Sequence, residues 1–191
     1  MKKYEIIKLG LTLFVITAIT GLILGGAHMI TKDSIEKQTI TENNNAMKET
    51  LPQADSFKKL NIAVKNEIIE EINQGFTGTT LAGYTIKVAP KGYNGKVELV
   101  VGISLDGKVE GIKIIAQSET PGLGANSVKA EFYGQFKGKA ITPELVVVKT
   151  TASKSNEIDA ITGATITSKA VTLGVNDAVK VFTTQLKGGK K

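Results

Sequence analysis

The chain has no cysteine, no tryptophan and a single histidine, His28, among 191 residues. Without cysteine there is no disulfide scaffold, no thiolate-bound zinc or iron–sulfur cluster and no thiol nucleophile. One histidine argues against a multi-histidine metal site and against a Ser-His-Asp hydrolase. Arginine is missing as well, so all 24 basic residues are lysine, and only 5% of residues are aromatic. The guanidinium forks and stacking rings with which proteins read nucleic acid are therefore lacking, and no nucleic-acid partner is expected. The net charge of +6 comes from lysines scattered among acids, which is the pattern of a solubilising surface. Any chemistry must come from hydroxyls, carboxylates, lysines, backbone groups or a borrowed cofactor.

What is present is enough apolar sequence for one ordinary domain with an appendage: 41% hydrophobic and 22% charged residues fit neither a disordered chain nor a polytopic membrane protein. Leu9 to Ile30 carries no formal charge at neutral pH. As a helix it would span about 33 Å at about 1.5 Å per residue, which matches a bilayer core of about 30 Å. Lys2, Lys3 and Lys8 precede it, whereas Lys32 and Lys37 beyond it are balanced by Asp33 and Glu36. That bias predicts a cytoplasmic N-terminus (1–8), a single transmembrane helix (9–30) and an extracytoplasmic remainder anchored in the cytoplasmic membrane. A cleaved signal peptide ending near Gly25-Gly26-Ala27 is the competing reading. His28 then stands at the membrane interface.

Residues 31–56 form a stalk and linker, in which polar residues 31–50 predict a helix that the Asn43–Asn45 run disfavours and that Leu51-Pro52 ends. Residues 57–187 form the folded domain and 188–191 a frayed tail. Within the domain, 57–74 suits helix or strand, and Leu81 to Ala89 predicts a strand. Val97, Leu99, Val101, Ile103 and Leu105 alternate with other residues, the period of a strand with one buried face. Asp106-Gly107 offers two positive-φ residues for a tight hairpin, with Lys108–Gln117 as its return strand. Val128, Phe132 and Phe136 mark one face of a short helix over 125–137, and Leu145–Lys149 predicts a short strand. From Ser168 to Leu186, apolar residues recur at helical spacing. The fold class is α+β, antiparallel strands with packed helices.

Two stretches look built for chemistry. Asp159-Ala-Ile-Thr-Gly-Ala-Thr-Ile-Thr-Ser168 places three threonines and a serine around Gly163-Ala164, just ahead of the C-terminal helix. Unpaired N–H groups and the positive end of the dipole there suit a phosphate. The plainer reading makes Thr167 or Ser168 an N-cap in an ordinary loop. The second stretch, Glu119-Thr-Pro-Gly-Leu-Gly124, has the Pro-Gly of a type II turn and glycines that let a flat ligand approach. Glu119 and Thr120 could add directed hydrogen bonds, and a plain strand-to-helix turn is the alternative.

Together, ETPGLG and the downstream DAITGATITS resemble the covalent FMN-binding domain family. Within it, the anchor and compact length are similar to the G subunit of Rnf-type ion-translocating electron-transport complexes. The likeness includes Pro52–Phe57 and Lys91-Gly92-Tyr93, and the C subunit of the sodium-pumping NADH:quinone reductase carries the same two blocks. The resemblance implies FMN esterified through its phosphate to Thr165. It implies that Asp159, Thr162, Gly163 and Ala164 are recognised by a flavin transferase, which takes FMN from FAD with Mg²⁺. It also implies that the loop Glu119, Thr120, Pro121, Gly122, Leu123 and Gly124 lies against the isoalloxazine ring, with Thr167 part of the cofactor site. Gln117 and Ser118 depart from many relatives, which have histidine and a polar residue there. The implied function is a redox subunit without catalytic acid–base residues of its own, in a complex that couples ferredoxin oxidation and NAD reduction to Na⁺ or H⁺ export. Other membrane subunits would be its partners. Two alternatives stand beside it: an FMN-domain protein of another respiratory chain, and a cofactor-free anchored binding module.

Overall fold

A computed structural model describes residues 3–62, 64, 66–140 and 143–187. Lys2 and the expected tail 188–191 lie outside the described residues. Two compact units make up the chain, Met1–Glu42 and Asn43–Lys191. Helix α1, Lys3–Thr50, runs through both.

In the first unit, an 18-residue window of α1 reaches a mean hydropathy of 2.2 with none of it buried. An apolar helix exposed on every side has no protein core to face, which is the condition of a membrane span. The hydroxyls of Thr12, Thr17 and Thr20 donate to the carbonyls of Lys8, Leu13 and Ile16 at 2.8–3.0 Å, so the span's threonines leave no hydroxyl proton unpaired.

The second unit begins inside the expected stalk. The asparagine run does not break α1, because its last two turns gain a packing partner: Ala46, Met47 and Thr50 are buried, followed by Leu51 and Ala54. Tertiary burial outweighs the modest helix penalty of asparagine. The ambiguous 57–74 stretch resolves into strands β1 (Ser56–Lys59) and the start of β2 (Ile69–Thr77). With β3 (Thr80–Val88), β4 (Glu98–Ser104) and β5 (Val109–Ala116) they form an antiparallel meander in the order β1-β2-β3-β4-β5.

One face of this sheet carries Ile86, Val88, Leu99, Val101 and Ile103 into the core. The opposite face bears two cross-strand glycine pairs, Gly75↔Gly83 and Gly102↔Gly111. There Leu51 presses on Gly75 and Gly83, and the Thr50 carbonyl on Gly102. Consequently β4 is buried on both faces, not on one as its alternation predicts: Val100 is as inaccessible as its neighbours, whereas Leu105 is exposed in the turn. The β4–β5 turn also differs from expectation. Gly107 alone has positive φ (+90°), its N–H bonds the Ser104 carbonyl (2.9 Å), and Asp106 accepts from Ser104 Oγ. This is a three-residue hairpin with a glycine bulge.

The expected helix over 125–137 breaks into a 3₁₀ turn (Gly124–Val128), α2 (Ala130–Tyr133) and a second 3₁₀ turn (Gly134–Phe136). Phe132 and Phe136 enter the core as anticipated, but Val128 is exposed. Strand β6 (Val146–Val148) pairs in parallel with β7 (Glu157–Asp159), a strand too short for its sequence to display a period. Helix α3 spans Thr165–Val181 and passes into a π turn, Phe182–Leu186. It starts three residues earlier than predicted, with Ala164 as N-cap in place of Thr167 or Ser168. Val171, Val175, Ala178 and Phe182 face the sheet, and the Phe182 ring meets Tyr84 edge-on at 5.8 Å.

Candidate functional site

Three turns converge at the start of α3. The first, Ile161–Ala164, is closed by the Ala164 N–H on the Ile161 carbonyl (2.9 Å), with Gly163 at φ +75°. Buried Ser168 locks it, since Ser168 Oγ accepts the Ile161 N–H and donates to the Ala164 carbonyl. Thr165 is thereby left half-buried as the first helical residue. Ser168 N–H makes the first bond inside the helix, to Ala164 (3.0 Å). The N–H groups of Thr165, Ile166 and Thr167 therefore have no intrahelical partner, and no side chain caps them.

The second turn is the expected type II turn. Leu123 N–H bonds the Thr120 carbonyl (3.1 Å), Gly122 stands at φ +78°, and Asn126 Nδ2 donates to the Gly122 carbonyl (2.8 Å). The third is Gly92–Gly95, closed at 2.7 Å between Gly92 N–H and the Gly95 carbonyl.

Glu119 ties the Gly92–Gly95 turn to the first turn of α3. Its carboxylate is buried, and Oε1 accepts the N–H groups of Tyr93 (2.9 Å) and Asn94 (3.0 Å). Oε2 accepts the hydroxyl of buried Thr167 (2.6 Å). Glycine is required on both sides, because a Cβ at Gly92 or Gly124 would come within 2.5 Å of a Glu119 oxygen.

The turns enclose a cavity of about 510 Å³ lined by Tyr93, Glu119, Thr120, Leu123, Gly124 and the Gly163–Thr167 segment. Of the residues singled out in the sequence, Glu119, Thr120, Leu123, Gly124, Gly163, Ala164, Thr165 and Thr167 meet here. Pro121 and Gly122 lie on the exposed outer side of the loop, and Thr162 is exposed beside the cavity without lining it. Asp159 ends β7 in a separate cleft of about 380 Å³ shared with Lys129 and Gln135. Its Oδ1 accepts the Ala152 N–H, while its own N–H donates to Gln135 Oε1 (2.7 Å).

Two lining residues, Tyr93 and Ile166, escaped the residue-level reading. Tyr93 enters the sequence reading only within the Lys91-Gly92-Tyr93 stretch of the family likeness, with no role attached. An aromatic residue set between two glycines of an exposed turn was the available signal.

The chemistry of the cavity suits FMN. Its rim is apolar and accessible, with Tyr93 69%, Leu123 42% and Ile166 54% exposed, as a flat aromatic ring system needs. Its lining also includes the N-terminus of α3, where three backbone N–H groups have no intrahelical partner and Thr165 is the first residue, a setting that favours a phosphate.

A family model described as FMN-binding domain matches residues 92–180, from the Gly92 turn through most of α3. The chain is 43% identical to the G subunit of the Na(+)-translocating ferredoxin:NAD(+) oxidoreductase complex of Acetobacterium woodii, over 93% of this chain and 91% of that protein. It is 40% identical to the G subunit of the proton-translocating complex of Clostridium ljungdahlii, over 90% of this chain and 88% of that protein. Among solved structures, the C subunit of the Na(+)-translocating NADH-quinone reductase from Parabacteroides distasonis superposes with a TM-score of 0.63, covering 83% of this chain and 98% of that one. At 19% identity that likeness concerns the fold. Taken along nearly its whole length, the chain belongs to the G-subunit family of the Rnf-type, ion-translocating oxidoreductase complexes.

Proposed function

We propose that this chain is a membrane-anchored flavoprotein subunit of an ion-translocating ferredoxin:NAD⁺ oxidoreductase complex, carrying FMN as a phosphoester on Thr165 Oγ1. The observation that carries the reading is the placement of Thr165. It is a half-buried residue that opens α3, where three backbone N–H groups have no intrahelical partner, and it lines the apolar-rimmed cavity. FMN, when bound, supplies reversible electron transfer. The protein's part is to seat the phosphate on the α3 N-terminus, to offer the ring the apolar rim of Leu123 and Ile166, and to keep the cavity walls in register through Glu119. No residue needs to act as a catalytic acid or base.

Attachment requires help, because a threonine hydroxyl is a poor nucleophile at neutral pH. A flavin transferase using FAD and Mg²⁺ would form the bond from Thr165 Oγ1 to the FMN phosphorus and break the pyrophosphate. AMP leaves with the electron pair, the hydroxyl proton passes to a base of the transferase, and the metal draws off charge. Asp159 serves this transfer in our reading, since it lies away from the cavity and would repel the phosphate if close. The lysines ahead of the span place the N-terminus inside and the domain outside the cytoplasmic membrane, where a covalent tether prevents loss of the flavin. The other membrane subunits of the complex are its partners, and Na⁺ or H⁺ is the exported ion.

The deciding experiment is the mass of the intact full-length chain, produced with the transferase, together with in-gel flavin fluorescence after denaturation. An added FMN phosphoester in the wild type and its loss in Thr165→Ala are expected. A wild-type mass equal to that of the polypeptide alone overturns the reading.

A further inference from the structure

Among the described residues, Tyr93 is the only tyrosine that lines the flavin cavity, and its backbone is held more firmly than its exposure suggests. Its N–H and that of Asn94 both end on the buried Glu119 carboxylate. Asn94 Nδ2 donates to the Ser118 carbonyl (2.8 Å), and the Lys91–Lys96 bridge and the Val97 N–H on Pro90 close the base of the turn. Yet the side chain is 69% exposed at the rim. Four donor groups and an obligatory glycine at 92 fix a turn whose tip contacts no core. Such ordering is costly for a residue that only decorates the surface. The chain has no tryptophan. Tyr84 is spent in the core against Phe182, Tyr133 packs against the core, and Tyr4 belongs to the first unit.

We propose that Tyr93 is a wall of the flavin site, its phenol ring laid against the isoalloxazine ring, and that Glu119 is the positioning residue that sets it there. The inference rests on the FMN reading above and adds to it. Aromatic faces attract one another beyond their buried area, and a phenol in contact with a flavin quenches its emission. The phenol gives an electron to the photoexcited ring and recovers it by charge recombination, so nothing is oxidised overall. The experiment therefore needs no turnover.

The test uses the full-length chain in detergent, flavinylated during expression, with flavin content taken from its mass. Tyr93→Phe keeps the ring but removes the easily oxidised phenol. It should lengthen the flavin emission lifetime several-fold while leaving quenching by iodide unchanged. Tyr93→Leu should lengthen the lifetime and also raise iodide quenching. Glu119→Gln puts an amide NH₂ among donors, so it should move the lifetime in the direction of Tyr93→Phe and add nothing in the double variant, as expected of two residues acting through one contact. Tyr133→Phe should change nothing.

Flavin present by mass with an unaltered lifetime in both Tyr93 variants overturns the proposal and leaves the FMN reading standing. An unaltered lifetime in Glu119→Gln alone removes the positioning role. A wild-type chain without the flavin mass overturns both readings.

Discussion

Burying a carboxylate costs several kcal/mol unless hydrogen bonds replace its water. Glu119 meets that condition with three donors drawn from two other segments. Thr167 supplies the only side-chain donor of the set, so Thr167→Val would strand Oε2 in a site that water reaches poorly. A loss of about 1–3 kcal/mol is expected, the usual penalty for a buried acceptor left unpaired. It would be read as a lower urea midpoint at unchanged slope, and an unshifted midpoint would mean that the bond contributes nothing. Asp159 differs, because its carboxylate oxygen holds a single backbone N–H in a separate cleft. Asp159→Asn keeps an acceptor there, so stability should change by less than about 1 kcal/mol. If the charge serves flavin transfer, the time course of flavin incorporation should nevertheless slow markedly; a normal rate refutes that role.

At the scale of elements, the end of α1 and the sheet are matched by absence of side chains. A Cβ at Gly102 would sit 2.0 Å from the Thr50 carbonyl oxygen, a clash with backbone that no rotamer can relieve. Gly102→Ala should therefore destabilise by at least the overpacking cost of about 1–3 kcal/mol. Gly134, exposed, right-handed helical and with open space around it, is the control: alanine there should be neutral or stabilising by up to about 1 kcal/mol. Thermal melts of the two variants separate steric from conformational effects.

The 151–157 loop is an element held by one carboxylate. Glu157 accepts the N–H groups of Ser153 and Lys154 and the Ser153 hydroxyl, and chiefly these backbone donors hold its pKa below the ordinary value of 4.5. A lowered folded pKa stabilises above the unfolded value and is lost as pH falls through the folded one. The protection of backbone N–H groups in this loop, taken relative to their intrinsic exchange rate at each pH, should accordingly fall as pH drops below about 4.5, and Glu157→Gln should flatten that dependence. Protection that stays constant through the acid range would contradict the assignment.

For the whole molecule, the consequential boundary is where the folded unit begins. Composition suggests residue 57, but the compact unit starts at Asn43, and Ala46, Met47, Leu51 and Ala54 are all buried. A chain beginning at 43 should unfold cooperatively in urea. One beginning at 57 would uncover the glycine-lined sheet face and should aggregate or unfold at a lower midpoint. Equal midpoints for the two would show that the end of α1 is dispensable.

Local pattern was sufficient for features whose cause is local. The charge-free run Leu9–Ile30, the alternation through β4, the Pro-Gly turn at 121–122 and the helical spacing along α3 each follow from backbone geometry acting on neighbours in sequence. The ETPGLG and DAITGAT blocks were joined by family resemblance and not by local pattern, and Glu119, Thr120, Leu123, Gly124 and Gly163–Thr167 line one cavity whereas Asp159 does not. Tertiary structure decided what depends on partners far along the chain. The Asn43–Asn45 run stays helical because the next turns pack on the sheet, and β4 is buried twice because that helix end covers its second face. Asp159 and Thr165, six residues apart, open into different clefts, while Glu119 and Thr167, 48 apart, are joined by a hydrogen bond. Sequence patterns report the preferences of the backbone, whereas a buried carboxylate is satisfied only by whichever donors the fold brings within about 3 Å.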